Sequence, residues 1–299
     1  MLSIMSLELL RKFLRSWLSL TAPIAVAMDA TQADFDVHLL CCRKDVPMAT
    51  AGLISFCKAW TGGPFALHIH SDGSLAQEDI AFLQKRFTGV QVHSNLDPTI
   101  REIMTAELPV GARVRYSQKS VLLQKILDPY CLSGSRPIMI LDSDILWFKP
   151  PRLMVEHIER GCPHPLVSRG NGDTPFNFGS HAGFPPECSR LNSGVVLYRR
   201  SQLDRSILES FLESANLEIR LNSHFVEQTA YALALREFQF LPYRQYTIDL
   251  PKDGQTIFRH YTGPRRDEWL KENLRFLLKL PFQRPAQREA SPQPVPAPV

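Results

Sequence analysis

"PIMILDSDILWFKPP" occupies residues 137–151. Four consecutive apolar residues, Ile138-Met139-Ile140-Leu141, run into Asp142-Ser143-Asp144, and an apolar stretch resumes before two prolines. A short apolar run bounded in this way predicts a strand buried on both faces. Asp142 and Asp144 would then be close neighbours at the strand's end. Two adjacent carboxylates repel, and one takes up a proton unless a cation intervenes. A divalent metal resolves that conflict. Oxygen ligands suit Mg²⁺ or Mn²⁺, which commonly share their coordination with substrate phosphates. The alternative is a plain strand-to-loop turn, where Asp and Ser are common.

The residues upstream alternate between two periodicities. "FDVHLLCC" (35–42), "PFALHIHS" (64–71) and "VQVHS" (90–94) read as strands. "VPMATAGLISFCKAW" (46–60), "LAQEDIAFLQKRF" (75–87) and "SQKSVLLQKILDPY" (117–130) read as helices. With 137–141 as a fourth strand, the pattern predicts an α/β fold, a mostly parallel sheet with helices on both faces. Ligands of such sheets bind beyond the carboxyl ends of the strands. Arg43, Asp72 and Asp142–Asp144 all fall at those ends and so can converge from distant parts of the chain.

Composition narrows the rest. The chain has 299 residues, 44% hydrophobic and 21% charged, as in ordinary globular proteins. A net charge of +4 is too weak to argue for nucleic acid and suits a small anionic substrate or a membrane surface. The six cysteines form no CxxC pair, which speaks against zinc and for reduced thiols in a cytoplasmic protein. Residues 1–30 read as an N-terminal helical extension, with Leu9, Leu10, Phe13, Leu14 and Trp17 at helical spacing beside Arg11, Lys12 and Arg15. Three uses of it stay open: a helix docked on the protein's own core, a peripheral membrane contact through residues 1–20, or a signal peptide with Ala25-Val26-Ala27 as cleavage site. Residues 31–280 form the main domain. Residues 281–299, rich in proline, read as a disordered tail.

A strand ending in Asp-x-Asp after such alternation resembles the glycosyltransferases of the GT-A fold. The resemblance is closest to the glycogenin-like and lipopolysaccharide galactosyltransferase-like group (family 8). "IMILDSDILWF" matches that group's apolar-Asp-x-Asp-apolar pattern, and "LNSGVVLYRR" is similar to its Asn-x-Gly element. Glu227-Gln228 in "HFVEQTAYAL" resembles its acidic-Gln pair. "HYTGPRRDEW" echoes its C-terminal His-x-x-Gly-x-x-Lys-Pro-Trp, with Arg266 in place of Lys and Trp269 two residues late. The resemblance covers roughly 35–270 of this chain.

The resemblance implies a metal-dependent transfer of a sugar from a nucleotide diphosphate, a UDP-sugar, to a carbohydrate, lipid or protein acceptor, with retention. Asp142, Asp144 and His260 would hold Mn²⁺ or Mg²⁺, and Lys119, Lys125 and Arg266 would face the phosphates. Arg43, Asp72 and Ser143 would line the nucleotide. Asn192, Ser193 and Gly194 would hold sugar hydroxyls, and Glu227 and Gln228 would face the donor sugar or acceptor, with Asn192 beside them as the catalytic set. Gly263 would let the C-terminal loop turn. Trp147 and Trp269 stack on a sugar or fill the core. Two rivals remain: a phosphatase of the haloacid-dehalogenase type, which carries its Asp-x-Asp on the first strand, and a sugar-nucleotide or glycan-binding protein without turnover.

Overall fold

The computed structural model describes residues 7–27, 30–117, 121–170, 186–214, 225–235 and 237–282. The strands are β1 (Ile24–Ala25), β2 (Phe35–Cys41), β3 (Phe65–Ser71), β4 (Phe87–Thr88), β5 (Gln91–His93), β6 (Pro137–Leu141), β7 (Ile145–Trp147), β8 (Leu166–Arg169), β9 (Leu191–Arg199), β10 (Gln239–Phe240), β11 (Tyr246–Thr247) and β12 (Phe258–His260). The helices are α1 (Leu7–Leu18), α2 (Val46–Ala59), α3 (Gln77–Arg86), α4 (Pro98–Glu107), α5 (Pro109–Ser117), α6 (Gln124–Leu132), α7 (Arg152–Glu159), α8 (Arg205–Glu213), α9 (Val226–Ala234) and α10 (Arg266–Lys279).

Seven strands form the central sheet in the order β10-β8-β9-β6-β2-β3-β5. The pairs β6-β2, β2-β3, β3-β5 and β8-β10 are parallel. β9 alone runs against its neighbours β6 and β8. One face of the sheet packs on α2, through residues such as Val37, Leu39 and Phe56. The other packs beneath α4–α6, α8 and α9, through Ile138, Ile140, Val196 and Tyr198. The mostly parallel sheet covered on both faces is the one expected from the alternation.

The antiparallel β9 is what builds a site. It brings its own first residues to the carboxyl end of β6, with Leu141 opposite Val195 and the Asp142 N–H donating to the Gly194 carbonyl at 2.9 Å. A second, three-stranded sheet, β11-β12-β7, does the same for the C-terminal segment. There His260 pairs with Ile145, and the Tyr261 N–H donates to the Asp144 carbonyl at 3.0 Å.

Three expectations are revised. The helix read over 117–130 begins only at Gln124. The chain from 98 to 117, read without an element, holds α4 and α5, although Asp97 caps α4 through the Thr99 and Ile100 N–H groups and Pro98 opens it. Residues 152–190, given no element by periodicity, contain α7 and β8, with 171–185 outside the described residues.

The N-terminal helix is docked on the core: Leu14 and Leu18 are buried, and Arg15 pairs with Asp79 of α3. The chain after it is woven into the fold, with the Val26 N–H donating to Thr88 and the Ala27 N–H to Phe65. Leu9, Phe13 and Leu20 remain exposed on its outer side. Among the described residues, no helix is long and apolar enough to cross a membrane. Trp147 and Trp269 are both core side chains, Trp147 between Phe56 and Phe258. Of the Pro-rich tail, 283–299 lies outside the described residues.

One face of β2, β3 and β5 carries an unusual load. His38, His68, His70 and His93 stack there, their ring centroids 4.5–5.3 Å apart. The alternation in "HLL" and "HIH" puts them on one side of neighbouring strands. Hydrogen bonds join His38 Nδ1 to His70 Nε2 (2.9 Å), His38 Nε2 to Ser133 Oγ (2.8 Å) and His68 Nδ1 to His93 Nε2 (3.0 Å).

Candidate active site

A cavity of about 740 Å³ opens at the carboxyl ends of β2, β3 and β6. Asp142 and Asp144 enter it from the end of β6, Asn192 and Ser193 from the start of β9, Lys125 from α6, Glu227 and Gln228 from α9, and His260 and Arg266 from the C-terminal segment. Residues 118 positions apart in the chain, Asp142 and His260, thus share one wall.

His260 Nε2 lies 2.9 Å from Asp144 Oδ1 and 3.3 Å from Asp142 Oδ2. Its Nδ1 lies 3.1 Å from Asn192 Oδ1, which orients the ring. That arrangement leaves Nε2 to face the carboxylates, as in metal-ligating histidines held from behind by a second residue. Asp144 Oδ1 is buried, and the His260 ring is its close polar neighbour. One atom from each of Asp142, Asp144 and His260 falls within 4.8 Å of the others.

Charge counting gives the same answer. Asp142, Asp144, Glu227 and Asp45 are carboxylates of one contact network, and among the described residues only Lys125 and Arg266 oppose them as fixed cations. The shortfall is two charges, that of one divalent ion. The donor set therefore fits a divalent metal with mixed oxygen and nitrogen ligands. Without the ion, a proton fills part of the gap. Burial would push the His260 imidazole down, but Asp144 and Asp142 outweigh it and push its pKa up to about 9. Burial likewise opposes ionisation of Asp142, and Lys125 and His260 outweigh it, holding the carboxyl well below its usual range.

Lys125 is a buried hub. Its ammonium lies 2.7 Å from Asp142 and 3.2 Å from Glu227, and donates to Ser193 Oγ at 3.2 Å. Burial works against its charge, and the two carboxylates more than restore it. Ser193 Oγ donates to Glu227 Oε1 at 2.7 Å, and Gln228 Oε1 accepts from the Ser193 N–H at 3.2 Å. Glu227 Oε2 is buried with no hydrogen-bond partner. Gly194 is required by space: a Cβ there would collide with the His260 ring. Gly263, at φ +50°, takes the left-handed turn behind the histidine.

Other candidates lie elsewhere. Asp72 lines the cavity, but its Oδ1 accepts from the Ser74 N–H and hydroxyl. Ser143 Oγ donates to Asp45 Oδ2 at 3.3 Å. Arg43 does not line the cavity; it pairs with Glu78 and Asp79 of α3, because that helix's acidic first turn is the nearer partner. Lys119 lies outside the described residues. Asp45, at the start of α2, escaped the sequence reading; it accepts from Arg266 Nη1 at 3.1 Å.

No family model matches the chain, and no curated protein matches it. Among solved structures it is similar to the galactosyltransferase LgtC in complex with donor and acceptor sugar analogues, at a TM-score of 0.50 and 12% identity, covering 82% of this chain and 95% of that one. Mouse xyloside xylosyltransferase 1 in its apo form matches at a TM-score of 0.47 and 14% identity, over 85% of this chain and 95% of that one. GlyE of Streptococcus pneumoniae TIGR4 matches at a TM-score of 0.47 and 12% identity, over 84% of this chain. The chain spans 63% of the GlyE chain. At 12% identity the likeness to LgtC is one of fold, and the fold is GT-A.

Proposed function

We propose that the chain is a metal-dependent glycosyltransferase that moves a sugar from a nucleotide diphosphate, a UDP-sugar, to a carbohydrate, lipid or protein acceptor with retention. The observation that carries this reading is the convergence of Asp142, Asp144 and His260 in one cavity, within a network where four carboxylates meet two fixed cations among the described residues. A bound Mn²⁺ or Mg²⁺ would offset the negative charge that develops on the departing diphosphate. Asp142, Asp144 and His260 are the residues to hold it.

The remaining roles follow from position. Arg266, at the mouth, binds phosphate oxygens once a diphosphate enters. Lys125 fixes Asp142 and Glu227 relative to one another. The unpartnered Glu227 Oε2 accepts from a donor-sugar hydroxyl, and Asn192 and Gln228 complete that edge. Asp72 accepts from the nucleoside. The segment from His260 to Trp269 folds over the diphosphate, which excludes water and disfavours hydrolysis of the donor. The exposed Leu9, Phe13 and Leu20, beside Lys12, suit a peripheral contact with an anionic membrane carrying the acceptor.

A panel of UDP-sugars with and without Mn²⁺, scored by UDP release, tests the reading. Mn²⁺-dependent release supports it, and NMR of the product's anomeric configuration tests retention. Phosphate release from monoesters would point to the phosphatase rival. Binding without release would point to a carbohydrate or nucleotide binder.

A further inference from the structure

Arg266 occupies an unexpected place. Its Nε donates to Asp144 Oδ2 at 2.8 Å and its Nη1 to Asp45 Oδ2 at 3.1 Å. The guanidinium is 44% exposed, whereas Asp144 is only 4% exposed. A half-exposed cation therefore reaches onto a buried carboxylate that belongs to the candidate metal set. Asp45 has no such place in that set. It lies at the start of α2, caps nothing through its side chain, and also accepts from Ser143 Oγ.

We infer that Arg266 is a latch that holds Asp144 while the metal is absent, and that Asp45 is the residue to which it withdraws. The inference rests on the proposed metal reading of Asp142, Asp144 and His260. A dication at Asp144 competes with the guanidinium for the same carboxylate. Its arrival pushes Arg266 off, and Asp45 keeps the freed arginine at the mouth, with its Nε and one face open to incoming phosphate oxygens. Metal binding thus exposes the diphosphate-binding cation. The fork geometry matters, because one guanidinium spans two carboxylates and an ammonium acts as a single point charge. Asp45 is a positioning residue in this scheme, acting only through Arg266.

The scheme predicts signs that an ordinary supporting arginine does not. Mn²⁺ binding to the full-length chain is measured by calorimetry without nucleotide. Arg266→Gln should bind Mn²⁺ about 10-fold more tightly than wild type, the equivalent of one charged hydrogen bond no longer competing. Arg266→Lys, which keeps the charge and loses the fork, should fall between them. Asp45→Asn should weaken Mn²⁺ several-fold, on the order of one lost hydrogen bond, because the displaced arginine has nowhere to go. In the Arg266→Gln background the Asp45→Asn change should have no further effect. With UDP present the order should reverse, Arg266→Gln binding the Mn²⁺–UDP pair more weakly than wild type.

Unchanged or weaker Mn²⁺ binding by Arg266→Gln overturns the latch while leaving the metal site standing. An Asp45→Asn defect that persists undiminished without Arg266 reduces Asp45 to a general electrostatic contributor and also overturns it. Mn²⁺ binding that is indifferent to Asp144→Asn removes the metal reading itself, and the latch with it.

Discussion

Two clusters of buried histidine and aspartate differ in protonation. Beneath α6, His38, His68 and His93 are pushed down by burial and by one another, His93 to about 4, so they stay neutral. At the end of β6, the equally buried His260 is pushed up to about 9. Burial alone does not separate them. The carboxylates around the stack already have partners: Asp36 is clasped by Arg136, Asp128 lies 3.5 Å from Arg115, and Asp97 caps α4. The carboxylates around His260 must share theirs, since among the described residues four of them meet two fixed cations, Lys125 and Arg266. A buried histidine is structural where its neighbours are balanced and becomes a ligand candidate where they are not.

The sharpest way to break this comparison is to remove a carboxylate from the unbalanced side. Asp144→Asn is nearly isosteric, so folding should survive, while Mn²⁺-dependent UDP release should fall roughly 10²-fold or more, comparable with the loss of a transition-state stabiliser. Full activity in that variant would sink the assignment.

Next in size is the pH dependence of stability, where the clusters should pull in opposite directions. His260 binds its proton more tightly folded than unfolded, so its stabilising contribution is complete below about pH 6.5 and is lost as the pH rises through about 9. The loss should be on the order of 3 kcal/mol in metal-free protein. Mn²⁺ binding should strengthen across the same window, because the ion replaces the proton. His38, His68 and His93 bind protons more weakly folded than unfolded, so they cost stability as the pH falls from about 6.5 towards 4. Thermal melts of the metal-free chain across pH 4–9.5 should therefore peak between the two limbs. An alkaline limb that His260→Gln leaves intact would assign that proton elsewhere.

Gly194→Ala tests the space beneath the ring. The added methyl meets His260 and Asn192 Oδ1, so the imidazole must swing away. A loss of roughly 1–3 kcal/mol is expected from overpacking, accompanied by weaker Mn²⁺ binding; unchanged affinity would mean that the ring's position is not critical. The smallest effect should come from the balanced side. Ser133→Ala removes one hydrogen bond from His38, should cost about 1 kcal/mol, and should leave Mn²⁺ binding untouched. Calorimetry checks both halves of that statement, and a change in metal affinity would show the clusters to be coupled.

Much of the fold was legible because strands and helices announce themselves by period. β6 stood out through Ile138–Leu141, and Asp97-Pro98 would have revealed α4 had its cap been read. The antiparallel turn of β9 was not legible, since strand direction depends on long-range pairing that no local pattern encodes. In the candidate site, Asp142 and Asp144 could be singled out from their place at a strand's end, and His260 only through the resemblance of "HYTGPRRDEW" to a glycosyltransferase motif. Asp45 could not, because an aspartate before a helix looks like any N-cap until its partner is seen. Arg43 shows the reverse: a cation at a strand end points where the nearest carboxylate is, here Glu78. The histidine stack was open to reading from "HIH", yet alternation does not say whether a buried imidazole will find balanced neighbours.

The direction of β9 has a practical use. Because β9 runs against β6, Pro137 and Arg199 sit opposite one another at the end of the sheet away from the cavity. The turn before β6 includes the exposed Ser135, about 20 Å of extended chain from Asp142 at ~3.3 Å per residue. A fluorophore placed there through Ser135→Cys can report tumbling or labelling without approaching the carboxylates. The same separation makes that turn a natural point for tethering the protein to a surface with its cavity facing solution.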